Sequence, residues 1–191
     1  MLSFVTVLSS EIIPDIPLDD GLILEIAEGN MDAFHSLYQQ TAEGVYGFAL
    51  SILKNKYDAE DVLQETFLLI HSSAARYNPQ GKPMAWILTI ARNLSLNKLK
   101  AHSKVSELDD NVKHQAADFS EIANLEHKLV LKTAFQVLSD EERQILMLHA
   151  VGGMKFREVA VVLVQGLNTV LSKYHRAIKK MKQQLEREEL Q

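Results

Sequence analysis

The apolar residues of this 191-residue chain recur at spacings of three and four, except between residues 103 and 124, where that rhythm fails. Acids, Ser and Asn take over there, and residues 105–127 hold six acids against one base, Lys113. A stretch of this kind buries too little apolar surface to order itself, so it reads as a flexible acidic link between domains. The chain is therefore expected to be all-α, with two small helical domains. The divisions fall at 1–21 (N-terminal extension), 22–102 (first domain), 103–124 (link) and 125–191 (second domain). A hydrophobic share of 47% with 24% charged residues suits two small cores.

In the first domain, apolar residues dominate 22–27 and Gly29-Asn30 breaks the run. A second helix carries Phe34, Leu37, Tyr38, Val45, Phe48, Ala49 and Ile52 on its inward stripe. After the connector Lys54-Asn55-Lys56-Tyr57, Asp58 is expected to cap a third helix, whose Ala59, Val62, Leu63, Thr66, Phe67 and Ile70 share a face. Its other face presents Asp58, Glu60, Asp61, Gln64 and Glu65. That set suits a basic or polar protein partner, although a plain solvated surface has the same composition. Residues 77–83 form a loop set by two prolines and a glycine, and a fourth helix carries Trp86, Ile87, Ile90, Leu94 and Leu99, with polar residues between them. Loop and helix together carry Arg76, Tyr77, Asn78, Gln80, Lys82, Trp86, Arg92, Asn93, Asn97, Lys98 and Lys100. Aromatics, amides and cations in this mixture can hold unstacked bases and their phosphates, or can form a packed turn beside a basic surface.

The second domain begins near Leu125, and Ser139 with Glu142 three residues on forms a capping box ahead of Ile145, Leu146 and Leu148. Gly152-Gly153 ends that helix. The run FREVAVVLVQGLNTVLSKYH (156–175) has the form of a helix-turn-helix, with Val159, Ala160 and Leu163 inward on its first helix and Val170, Leu171 and Tyr174 inward on its second. Thr169, Ser172, Lys173 and Arg176 then face outward, short polar groups and long cations suited to a major groove. Arg157, Asn168, His175 and Lys179 complete the expected DNA-facing set, and Lys180 and Lys182 extend it along the backbone. The charge distribution agrees: residues 128–191 hold 11 Lys and Arg against 7 Asp and Glu, within a chain whose net charge is -5.

DAEDVLQETF (58–67) followed by RYNPQGKPMAWILTIARNLSLNKLK (76–100) resembles region 2 of the sigma-70 family of bacterial transcription initiation factors, in its short extracytoplasmic-function form. LSDEERQILMLHAVGGMKFREVA with LNTVLSKYHRAIKKMKQQL is similar to region 4 of the same family. The resemblance spans about 22–102 and 125–185. It implies that Asp58, Asp61, Gln64, Glu65 and Phe67 dock on core RNA polymerase. It also implies that the loop and fourth helix receive a base flipped from the minus-ten element, that the helix-turn-helix reads the minus-thirty-five element of promoter DNA, and that an anti-sigma factor is a partner. Two departures stand out. Asn97 occupies a place where the family often has Asp, and Val164-Gln165-Gly166 replaces a turn that usually runs Gly, apolar, often Pro. A β-branched residue resists left-handed backbone, so the turn is expected to differ, one route being a first helix that runs through Val164 and ends on Gly166, and minus-thirty-five recognition is expected to be altered or weakened.

Other classes find little support. There is no cysteine, and the seven histidines form no close ligand pair, so no metal is expected. Phosphate-binding loops, dinucleotide fingerprints and nucleophile elbows are missing, so neither catalysis nor a cofactor is expected. Residues 1–8 are apolar but lack a basic leader, and no run approaches the roughly 20 apolar residues of a membrane span, so a cytoplasmic protein is expected. The competing functional reading is a stand-alone helix-turn-helix regulator that binds operator DNA without polymerase.

Overall fold

The computed structural model describes residues 18–106 and 137–188. The described chain divides into two compact units, one within 18–118 and one within 119–191. Among the described residues all regular structure is helical.

The first unit contains α1 (Asp20–Ala27), α2 (Met31–Leu53), α3 (Lys56–Ser73), a single 3-10 turn (Ala74–Arg76) and α4 (Pro83–Ser106). α1 ends on Gly29 in left-handed backbone, with the Asn30 N–H returning to the Glu25 carbonyl, and Asn30 at once caps α2 by accepting from the Asp32 and Ala33 N–H groups. α2 ends on Lys54, also left-handed at φ 55°. This shifts the next start: Asn55, not Asp58, caps α3, its side chain accepting from the Tyr57 and Asp58 N–H groups. α4 opens on Pro83, where a missing N–H leaves no donor unmatched, and continues past the expected start of the link at residue 103 to Ser106. The rest of the expected link, and the expected helix start at Leu125, lie outside the described residues.

The core of this unit gathers Ile23 and Ile26 of α1, Leu37, Val45 and Phe48 of α2, Val62 and Ile70 of α3, and Ile87, Leu88 and Ala91 of α4. Each fully buried large side chain contributes about 1.5–3 kcal/mol relative to exposure. Buried hydroxyls return to their own helices: Thr41 donates to the Leu37 carbonyl at 2.7 Å, Thr66 to Val62 at 2.7 Å and Ser95 to Ala91 at 2.8 Å. One inward assignment is corrected. Tyr38 is exposed, its ring leaning on Phe67 at 4.7 Å. On α4 the buried line is Ala85, Ile87, Leu88, Ala91 and Ser95, leaving Trp86, Ile90, Leu94 and Leu99 half-buried.

The second unit contains α5 (Asp140–Leu146), a wider turn (Met147–Val151), α6 (Phe156–Leu163) and α7 (Leu167–Glu188). Ser139 and Glu142 form the expected capping box. Ile145 and Leu148 are fully buried, as are Val159 of α6 and Val170, Ala177 and Met181 of α7, and both α5 and α6 pack on α7. His149 stacks on Phe156 at 4.0 Å, and Tyr174 meets both rings edge-on at 5.1 and 4.8 Å, fixing α7 to the preceding elements.

Candidate nucleic-acid interface

On α3, Asp61, Gln64 and Glu65 are exposed and Asp58 is half-buried, so the polar face exists as a surface. Phe67 does not belong to it. It is 3% exposed, held edge-on to Phe34 at 6.1 Å and under Tyr38, which corrects its assignment as a contact residue. Sequence reasoning missed the apolar part of the face: Tyr57, Leu68 and Leu69 are exposed, and a large apolar side chain on the polar side of an amphipathic pattern was the available signal.

α4 packs beside this helix, and Lys98 joins the two. Its ammonium lies 2.5 Å from Asp61 Oδ2 and 3.4 Å from Asp58 Oδ1, while His102 Nε2 sits 3.5 Å from Asp58. Partial burial works against the charge on Lys98, but the hydrogen bond and charge of Asp61, then Asp58, outweigh it and raise its pKa. Lys98, expected on DNA, is thus engaged with two residues expected on the polymerase. Asn93, Asn97 and Lys100 are exposed at spacings of four and three, in line with half-buried Trp86. From Trp86 to Lys100 this stripe extends about 20 Å along one helix face. Arg92 is half-buried beside it, and burial lowers its pKa.

The loop before α4 is closed by a residue the sequence reading assigned to no function. The Tyr77 hydroxyl donates to Asp20 Oδ1, and the Gly81 N–H donates to Asp20 Oδ2 at 2.6 Å. Burial, followed by the bond to Asp20, pushes the Tyr77 phenol well above its ordinary range. Its ring lies 4.8 Å from that of Trp86. Tyr77 is therefore the loop's inner post, while Asn78 and Gln80, with Arg76 just before them, are exposed and Lys82 is half-buried. The contact bridges 57 and 61 residues, so no local pattern announces it.

In the second unit α6 and α7 form the helix-turn-helix. Val164 itself takes left-handed backbone at φ 54°, with its N–H on the Val161 carbonyl and the Gln165 N–H on Ala160. This is the two-bond helix terminator usually built on glycine, and it overturns the expectation that Gly166 would serve. Arg157, Asn168, Thr169, Ser172, His175, Arg176 and Lys179 are all exposed. Lys173 turns aside: its ammonium is 2.7 Å from Glu141 Oε2 and 3.0 Å from Gln165 Oε1, so it ties α7 to α5 and the turn. Lys180 likewise pairs with buried Glu142 at 2.7 Å.

Comparison with known proteins matches these two units in order. The family model for Sigma-70 region 2 covers residues 37–105 and that for Sigma-70, region 4 covers 128–181. RNA polymerase sigma factor CarQ of Myxococcus xanthus is 30% identical over 168 residues, spanning 86% of this chain and 95% of that one. The chain belongs to the sigma-70 family. Its similarity to the ECF RNA polymerase sigma factor SigK of Mycobacterium ulcerans (29% identity; 84% of this chain, 89% of that one) puts this sigma factor in the extracytoplasmic-function group. Among solved structures, the sigma factor RpoE of Bartonella quintana, in complex with the anti-sigma factor NepR, shares the fold at TM-score 0.61 and 20% identity (80% of this chain, 96% of that one). CnrH, in complex with the cytosolic domain of CnrY, matches at TM-score 0.55 and 25% identity (88% and 97%). Among the described residues, no helix of this sigma factor is long and apolar enough to cross a membrane.

Proposed function

We propose that this sigma factor docks on core RNA polymerase through Asp58, Asp61, Gln64 and Glu65 of α3, with Leu68 adding apolar contact. The 77–82 loop takes a base from the opening minus-ten element, and Asn93, Asn97 and Lys100 follow the strand. Arg157, Asn168, Thr169, Ser172, His175, Arg176 and Lys179 read minus-thirty-five duplex. Opening needs no hydrolysis, because binding energy for unstacked bases shifts the melting equilibrium. The protein acts in the cytoplasm as a binding factor rather than an enzyme, and an anti-sigma factor occludes its surfaces.

The observation that carries this reading is the exposed line from the loop through Asn93, Asn97 and Lys100, set beside an exposed acidic helix in the same unit. Run-off transcription tests it: promoter-specific product should form only when this protein is added to core polymerase. Stable promoter binding by the protein alone, with no polymerase-dependent product, would instead establish a stand-alone regulator.

A further inference from the structure

The loop proposed to take the flipped base has its outward shape set from inside. One carboxylate, in the first turn of α1, accepts the Tyr77 hydroxyl on one oxygen and the Gly81 N–H on the other. These donors stand at the beginning and near the end of the loop, so Asp20 closes it as a clasp would. Gly81 bends at φ 68°, backbone that glycine adopts without strain, so the bend does not hold the loop shut by itself. Between the fastened points only Asn78, Pro79 and Gln80 project to solvent. Two of these are amides, side chains with both donors and acceptors for a base edge.

We propose that Asp20 is a positioning residue for strand capture, fixing the 77–82 loop in the shape that presents Asn78 and Gln80 to the unstacked base. This rests on the reading of that loop as the capture site. Asp20 does not touch DNA; it acts through Tyr77 and the backbone of Gly81. Charge matters as well as shape, because an ionised carboxylate accepts both hydrogen bonds at once, whereas a carboxamide has one acceptor oxygen.

The test uses the full chain assembled with core polymerase and four single-stranded DNA 12-mers. These carry the non-template minus-ten sequence of the promoter found by run-off transcription and differ only at the captured base. Asp20→Ala should bind the preferred oligonucleotide on the order of tenfold more weakly and lose most discrimination among the four. Asp20→Asn should fall between, and assembly with core polymerase should be unchanged. A general loss of folded protein would weaken all four equally, so the discrimination ratio separates positioning from stability. Tyr77→Phe, which removes a single hydroxyl, carries the test if the alanine variant does not fold, and it should reduce the ratio in the same direction. An Asn78→Ala, Gln80→Ala double variant tests the underlying reading. If that variant loses discrimination while Asp20→Ala and Tyr77→Phe keep it, the positioning role is overturned; if the double variant keeps it too, the loop is not the capture site and both ideas fall.

Discussion

The two units hold their working turns by opposite means. In the first, the loop bends at Gly81 without Cβ strain, and a carboxylate from another helix fastens it. In the second, the turn bends at Val164, φ 54°, and its backbone bonds are local. A left-handed β-branched residue costs about 1–2 kcal/mol in the folded state, while glycine carries its cost as extra freedom in the unfolded chain. The first loop can thus be loosened from outside itself, through Asp20. The second is set where a helix stops, and what surrounds it is a frame of ion pairs from α5.

The harshest way to break this contrast is to remove that frame. Glu142→Ala takes away the capping-box partner of Ser139 and leaves Lys180 without its carboxylate, and a loss of about 2–3 kcal/mol is expected. Amide exchange should quicken in α5 and α7 and stay unchanged in α2 and α4. The same residue gives the second unit an acid-sensitive term. Burial pushes its carboxyl up, but Lys180 and the Ser139 N–H outweigh this and leave it below the usual glutamate range. Its contribution is full above the unfolded value of about 4.3 and is lost as pH falls through the lower folded value. In Glu142→Gln, acid unfolding of this unit should follow a flatter curve.

Tyr77→Phe attacks the other side of the contrast. Loss of the bond to Asp20 should cost the first unit about 1 kcal/mol, with faster exchange of the Gly81 amide and no change in α6 or α7. Val164→Gly should erase the contrast by making both bends glycine. The valine side chain is 89% exposed, so little packing is lost, and a gain of about 1 kcal/mol is expected in chemical denaturation, with the minus-thirty-five footprint in place. The smallest effect belongs to Lys98→Met. Its pairs with Asp58 and Asp61 are partly solvated, so the loss should stay under about 1 kcal/mol and shrink with salt. Because the Lys98 pKa is raised, that contribution is present below the unfolded lysine value and disappears as pH rises through the folded one.

Much of the fold was legible because its signals are local. The Ser139 capping box and the buried spacing of Val159, Leu163, Val170 and Tyr174 need only neighbouring residues to be read. The failures are competitions that neighbours do not decide. Asn55 and Asp58 are both good caps, and the left-handed turn at Lys54 selects the earlier one. Phe67 lies where the apolar stripe meets the polar face, and aromatic partners on α2 draw it inward. Lys98 and Lys173 read as free cations until the carboxylates of other helices are placed beside them. Asp20 carries no local signal at all, because the groups it fastens lie 57 and 61 residues along the chain.

Trp86 is the one tryptophan in the chain, and its ring lies against Tyr77 at the foot of the 77–82 loop. The protein therefore carries its own optical reporter at the place proposed to take in a base. Indole emission excited at its red edge comes from that site alone, so insertion of a base can be timed by rapid mixing without a chemical label.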